Sequence, residues 1–127
     1  TVDTLMMSLA VLAGMVGGST VNAESMRAAA REGYATATDL ADYLVKKGLP
    51  FREAHEAVAQ AVRFAETRRC DLSELSLEDL RQFSPLITAD AFDALTLEGS
   101  MKSRSHIGGT APARVKAAIA KSRKTLL

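Results

Sequence analysis

The segment Ala37–His55, ATDLADYLVKKGLPFREAH, decides the fold class. Leu40, Tyr43 and Leu44 lie one turn apart, the spacing of a helix with a single buried stripe. Lys46, Lys47 and Gly48 close that helix, with cations at its negative end and a glycine free to turn left-handed. Pro50 then opens a second helix, in a first turn where its missing N–H costs nothing. Phe51, Ala54, Val58, Ala61 and Ala65 step by three and four along one face, while Glu53, Glu56, Arg63 and Glu66 fall largely outside it. Two helices joined by a short turn are predicted, the second running to about Arg68.

Upstream, Thr36 stands three residues before Asp39, a variant of the capping box that places an acid at the positive helix end. Gly33 stops a short helix over Glu24–Glu32. Between Asp3 and Glu24 no side chain is ionisable, and Leu5, Leu9, Leu12 and Val16 recur at helical spacing until Gly17-Gly18. A signal peptide would need a basic leading region, and a membrane span would need about 20 apolar residues. This run has neither, because Gly14, Gly17, Gly18, Ser19 and Thr20 cut it short. It is expected to be a helix buried in a bundle, with partners outside this chain.

Downstream, a turn through Cys70–Ser73 leads to Ser76, which caps a helix over Leu77–Phe83 with Asp79 at its third position. Ser84-Pro85 opens another turn. Thr88–Leu95 and Thr96–Arg104 read as short helices carrying Phe92, Leu95, Leu97 and Met101. After Gly108-Gly109, Thr110 caps a last helix with Ala111 and Pro112 in its first turn; Val115, Ala118, Ile119 and Leu126 are expected to form its buried side. No stretch alternates with period two. The expected fold is all-α: one long apolar bundle helix followed by a compact set of shorter helices, with a boundary near Gly33–Thr36 that divides the chain into residues 1–33 and 34–127.

Composition agrees with a globular chain. Hydrophobic residues make up 47% and the net charge is only +1, which excludes disorder and overt nucleic-acid binding. Aromatic residues are scarce and Trp is absent, so the core must come from small aliphatic residues that let helices approach closely. A single cysteine, Cys70, excludes an internal disulfide and fits a reducing cytoplasm.

Residues with potential chemistry are few. His55 lies on the amphipathic helix beside Glu56, and acid–base work there would need a second polar group from elsewhere. His106 lies in a loop before the glycine pair, within reach of a neighbouring protomer; both histidines read first as residues without a catalytic task. Two histidines and one cysteine, widely spaced, make no metal pattern. Gly108-Gly109-Thr110 could present N–H groups to an anion, but a capped tight turn is the simpler reading. From Gly99 to Leu127 every charged residue is basic: Lys102, Arg104, Arg114, Lys116, Lys121, Arg123 and Lys124. Without interleaved aromatic residues that tail lacks a stacking platform, and a solvated face or an acidic neighbour explains it better than nucleic acid.

Three stretches together carry a family resemblance: Ala37–His55 above, LSLEDLRQFSPLI at Leu75–Ile87, and LTLEGSMKSRSHIGGTAP at Leu95–Pro112. They closely resemble the C-terminal region of the argininosuccinate lyase family, in the fumarase/aspartase superfamily. The resemblance implies a lyase that cleaves argininosuccinate to arginine and fumarate by elimination, in arginine biosynthesis, as a cytoplasmic homotetramer needing no cofactor. It implies neither membrane nor nucleic acid as a partner. In that family the catalytic stretches come from three subunits and precede the region matched here, so this chain is expected to carry no catalytic or substrate-binding residue and to be inactive alone. Gly99-Ser100-Met101-Lys102 has a partial likeness to the superfamily's Gly-Ser-Ser-x-Met-Pro-x-Lys-x-Asn loop. It lacks the second serine, the proline and the asparagine, so Ser100 is assigned no catalytic role. The alternative reading is a stand-alone helical protein-interaction module.

Overall fold

The computed structural model describes residues 1–126 and contains, among them, helices and turns but no strand. The first helix, α1 (Val2–Gly17), ends at Gly18, whose N–H bonds back to the Gly14 carbonyl. None of its residues is buried. α2 (Ala23–Arg31) starts on Asn22, whose side chain accepts the Ser25 N–H at 3.1 Å, and it too buries nothing. A 3₁₀ turn at Glu32–Tyr34 follows, with Gly33 and Tyr34 both left-handed at φ 73° and 56°. The Tyr34 hydroxyl holds that turn against the body by donating to the Cys70 carbonyl at 3.2 Å.

α3 (Ala37–Lys46) and α4 (Phe51–Arg68) form the centre of the body and pack along each other. Leu40, Ala41 and Leu44 of α3 meet Ala54, Ala57, Val58, Ala61 and Ala65 of α4 in one buried cluster. The alanines explain the close packing, since a helix face without bulk lets a leucine row sit against the backbone. The link between the helices is a Schellman closure: Leu49 N–H donates to the Leu44 carbonyl and Gly48 N–H to the Val45 carbonyl, both at 3.0 Å. Gly48 sits at φ 98°, which an L side chain adopts only under strain. Pro50 is the capping residue just outside α4, one position earlier than expected, with Ala54 N–H donating to its carbonyl.

A second layer closes the cluster. Asp71 caps a 3₁₀ turn at Leu72–Glu74 that burial of Leu72 pins to the core, within the expected turn region but extending one residue past Ser73. Ser76 caps α5 (Leu77–Arg81) in a complete capping box with Asp79, as expected, but the helix stops two residues before Phe83. α6 (Ala91–Ala94) is a single turn, shorter than the Thr88–Leu95 helix the pattern suggested. α7 (Leu97–Ser103) is capped by Thr96, and α8 (Pro112–Leu126) ends the described chain. Leu72, Leu75, Leu80, Ile87, Ala91 and Leu95 complete the core.

Three expectations fail. Phe51 is 64% exposed rather than buried, because it lies at the edge of the α4 face and stacks on His55 with ring centroids 4.2 Å apart. Thr36 makes no side-chain cap, and Asp39 turns inward to an arginine instead of back to the helix end. Val115, Ala118, Ile119 and Leu126 of α8 are exposed, since no element among the described residues covers them.

Candidate functional site

Three polar clusters tie the helices together. In the first, Asp39, 6% exposed in the first turn of α3, takes an ion pair from Arg104 Nη2 at 3.1 Å on Oδ1. The same guanidinium donates through Nη1 to Ser100 Oγ at 2.5 Å, and Ser103 Oγ donates to the Ser100 carbonyl at 2.8 Å. Asp39 Oδ2 is buried with no hydrogen-bond partner among the described residues. One carboxylate, one guanidinium and one hydroxyl thus lock the start of α3 to the end of α7.

The second cluster surrounds Tyr43. Its hydroxyl donates to Asp90 Oδ1 at 2.6 Å and lies 2.9 Å from Thr88 Oγ1. Lys47 Nζ pairs with Asp90 Oδ2 at 2.9 Å, and Thr88 Oγ1 donates to Asp90 Oδ1. Hydrogen bonds from Thr88, Tyr43 and Lys47 hold the Asp90 carboxyl far below the ordinary carboxylate range, and the bond to Asp90 raises the Lys47 ammonium. The third contact is Arg27 Nη2 of α2 with Glu98 Oε1 of α7 at 2.5 Å, a hydrogen-bonded pair that lowers the Glu98 carboxyl.

Of the residues nominated from sequence, Arg104 and Ser100 join the first cluster, and the histidines and the glycine pair join none. His55 is exposed, stacked on Phe51 beside a shallow groove between α3 and α4 that Arg63 and Glu66 also line. His106 is exposed in the loop before α8, and its carbonyl accepts the Gly109 N–H at 3.0 Å. Gly109 cannot be larger, because a Cβ there would stand 2.1 Å from the Arg104 carbonyl oxygen. The N–H groups of Gly109 and Ala111 donate to the carbonyls of His106 and Arg104, so the glycine turn satisfies itself. Ser100 is buried and accepts from Arg104, so its oxygen is committed to a structural pair. Among the described residues no three His, Cys, Asp or Glu side chains gather as a metal site. The polar groups of these three clusters fasten one helix to another, which is the geometry of a scaffold.

The comparisons place that scaffold. The family model "Argininosuccinate lyase C-terminal" matches residues 34–102, which is the segment containing the buried core. The chain belongs to the argininosuccinate lyase family. An argininosuccinate lyase of Nitrosomonas europaea is 67% identical over 126 residues, covering 99% of this chain and 27% of that protein. Those of Nitrosomonas eutropha and a Janthinobacterium are 65% and 64% identical over the same length. This chain therefore spans about a quarter of the length of the curated relatives it matches. Among solved structures, an EDDS lyase variant with bound fumarate superposes with a TM-score of 0.73 at 34% identity, over 81% of this chain and 22% of that one. An EDDS lyase in complex with formate gives 0.71 over 80% of the chain. The helix placement of this chain is thus shared with EDDS lyase, over about four fifths of its length.

Asp39, Tyr43, Asp90, Glu98 and Arg104 were not singled out as partners of one another by reading the sequence. Their pairings span up to 71 positions, as in Arg27–Glu98, and no local spacing rule reaches that far.

Proposed function

We propose that this chain is the C-terminal part of an argininosuccinate lyase, which cleaves argininosuccinate to arginine and fumarate by elimination, and that it contributes scaffold rather than reacting groups. The observation that carries the reading is the match of nearly the whole chain to proteins of that name at 67% identity. Elimination needs a base beside the carboxylate that activates the departing proton, an acid for the leaving nitrogen, and donors for the charge that develops. None of the three polar clusters offers an unengaged base facing an acid. The catalytic, substrate-binding and metal residues are accordingly assigned to no position in this chain.

Residues 1–33 are read as the end of a central helical bundle and residues 34–127 as the small C-terminal domain. The exposed apolar surface of α1, with Leu5, Leu9, Leu12 and Val16 all more than half exposed, supports a role in a homo-oligomeric bundle, a tetramer in the intact enzyme. Arginine biosynthesis in the cytoplasm is the setting that fits this activity. No described helix is long and apolar enough to cross a membrane.

A chimera tests the assignment: the matching 27% of the Nitrosomonas europaea enzyme is replaced by this chain. The chimera is expected to assemble and to cleave argininosuccinate within about tenfold of the parent rate, a difference of roughly 1.4 kcal/mol in the barrier. A chimera that assembles but releases no fumarate removes the assignment. The isolated chain is expected to show no cleavage. Measurable turnover from it would mean that reacting groups lie within these 127 residues.

A further inference from the structure

We propose that the exposed face of α8 is a docking surface for an acidic amphipathic helix. Val115, Ile119, Ser122 and Leu126 step by three and four, with Ala118 three residues from Val115 and four from Ser122, so the five form a single stripe along the helix. Val115 and Ile119 remain 45% and 48% exposed, and among the described residues the only buried one near this helix is Ala111, just before it. An open apolar groove runs along the stripe from Gly108-Gly109, which present no side chain to narrow it.

Charge identifies the partner. α8 contains Arg114, Lys116, Lys121, Arg123 and Lys124 and no acid. At 100° per residue, Arg114 and Lys121 project on one side of the stripe and Lys116 and Arg123 on the other, so both rims are basic. Lys121 and Lys124, three apart, repel each other, and no carboxylate on the helix relieves them. A 15-residue helix is marginal by itself, and among the described residues this one gains neither a buried face nor internal ion pairs. An apolar seam flanked by carboxylates supplies both. The seam is also the width of one helix: Ala118 and Ser122 at its middle let a second backbone approach, and Val115, Ile119 and Leu126 give it grip. A lipid surface fits less well, because the stripe has no aromatic residue and few bulky ones. Nucleic acid would engage the bases but leave the apolar stripe uncovered.

The experiment titrates the labelled chain with two designed helical peptides that share a Leu/Ala seam, one flanked by Glu and one by Lys. Phosphatidylserine vesicles and a DNA duplex serve as competitors, and binding is read by amide chemical shifts. The Glu-flanked peptide is expected to shift α8 and Gly108-Gly109, and to weaken by about tenfold or more as salt is raised through the physiological range. The double variant K116E/R123E, checked for unchanged helicity by circular dichroism, should lose the Glu-flanked peptide and gain the Lys-flanked one. Equal binding of both peptides, shifts confined to α1, or preference for vesicles or duplex over the Glu-flanked peptide would each overturn the proposal.

Discussion

Asp39 is the residue whose environment departs furthest from what its type prefers. A carboxylate this deeply buried is stable only while a cation and hydrogen-bond donors face it, and here Arg104 alone faces it, on one of two oxygens. Removing the guanidinium leaves the charge stranded. Arg104→Ala is therefore expected to cost about 2–3 kcal/mol, below the largest values for buried pairs because the Arg104 side chain is partly solvated. Asp39→Asn should cost less, since an amide needs no counterion; denaturant unfolding of both variants decides the order. Asp90 makes the opposite case, a carboxylate held charged by Thr88, Tyr43 and Lys47 at a half-open surface. Its folded value lies below that of the unfolded chain, near ~3.9, so its stabilisation is complete above that pH and is lost as pH falls through the folded value. The thermal midpoint of the chain should drop on acidification below about pH 4, and Asp90→Asn should flatten that limb of the profile while lowering the midpoint at neutral pH. Lys47 works in the other direction. Raised by Asp90, it contributes fully below its unfolded value and is lost as pH rises through the folded one, so the same variant should also flatten the alkaline limb.

Among the elements, the α3–α4 pair was legible in the sequence because its signals are local. The Lys-Lys-Gly stop, the proline start and the three-four steps of alanine each act within one turn of chain. What failed there needed tertiary information. Phe51 continues the apolar pattern of α4 but lies past the edge of α3, so periodicity gave its face and not its cover. The α8 stripe has the same history: a correct apolar face with nothing of this chain upon it. Thr36 and Asp39 form a plausible cap by spacing, and a cation 65 positions away takes the carboxylate instead. Two substitutions test the local reading. Gly48→Ala has open space around the new methyl yet must hold φ at 98°, so a loss of roughly 1–2 kcal/mol is expected from backbone strain alone. Arg69, left-handed at φ 54° where α4 ends, offers the converse. Arg69→Gly should be neutral or stabilising by up to about 1 kcal/mol, and equilibrium unfolding of the two variants should move in opposite directions.

For the molecule as a whole, the core and the largest apolar surface are separate. Fully buried Leu40, Leu44, Leu72, Leu80 and Ile87 lie between α3 and α6, whereas the leucines and valines of α1 contribute nothing to that cluster. Stability and association should therefore respond to different mutations. Leu44→Ala removes a completely buried side chain and is expected to lower stability by about 2–5 kcal/mol, with little effect on association beyond that of partial unfolding. The triple variant L5Q/L9Q/L12Q changes residues that already face solvent in the single chain, so its thermal midpoint at high dilution should match the parent. Its sedimentation should not match, because three apolar contacts in succession are lost from the surface that α1 offers to a neighbour. Association through α1 would also persist in high salt, since the helix has a single charged side chain, Asp3, whereas attraction at the basic rim of α8 would be screened. An association that vanished with salt would move the assembly surface to the basic rim of α8, whereas a midpoint that fell with the glutamines would place α1 inside the fold of the single chain and remove the separation between core and assembly surface.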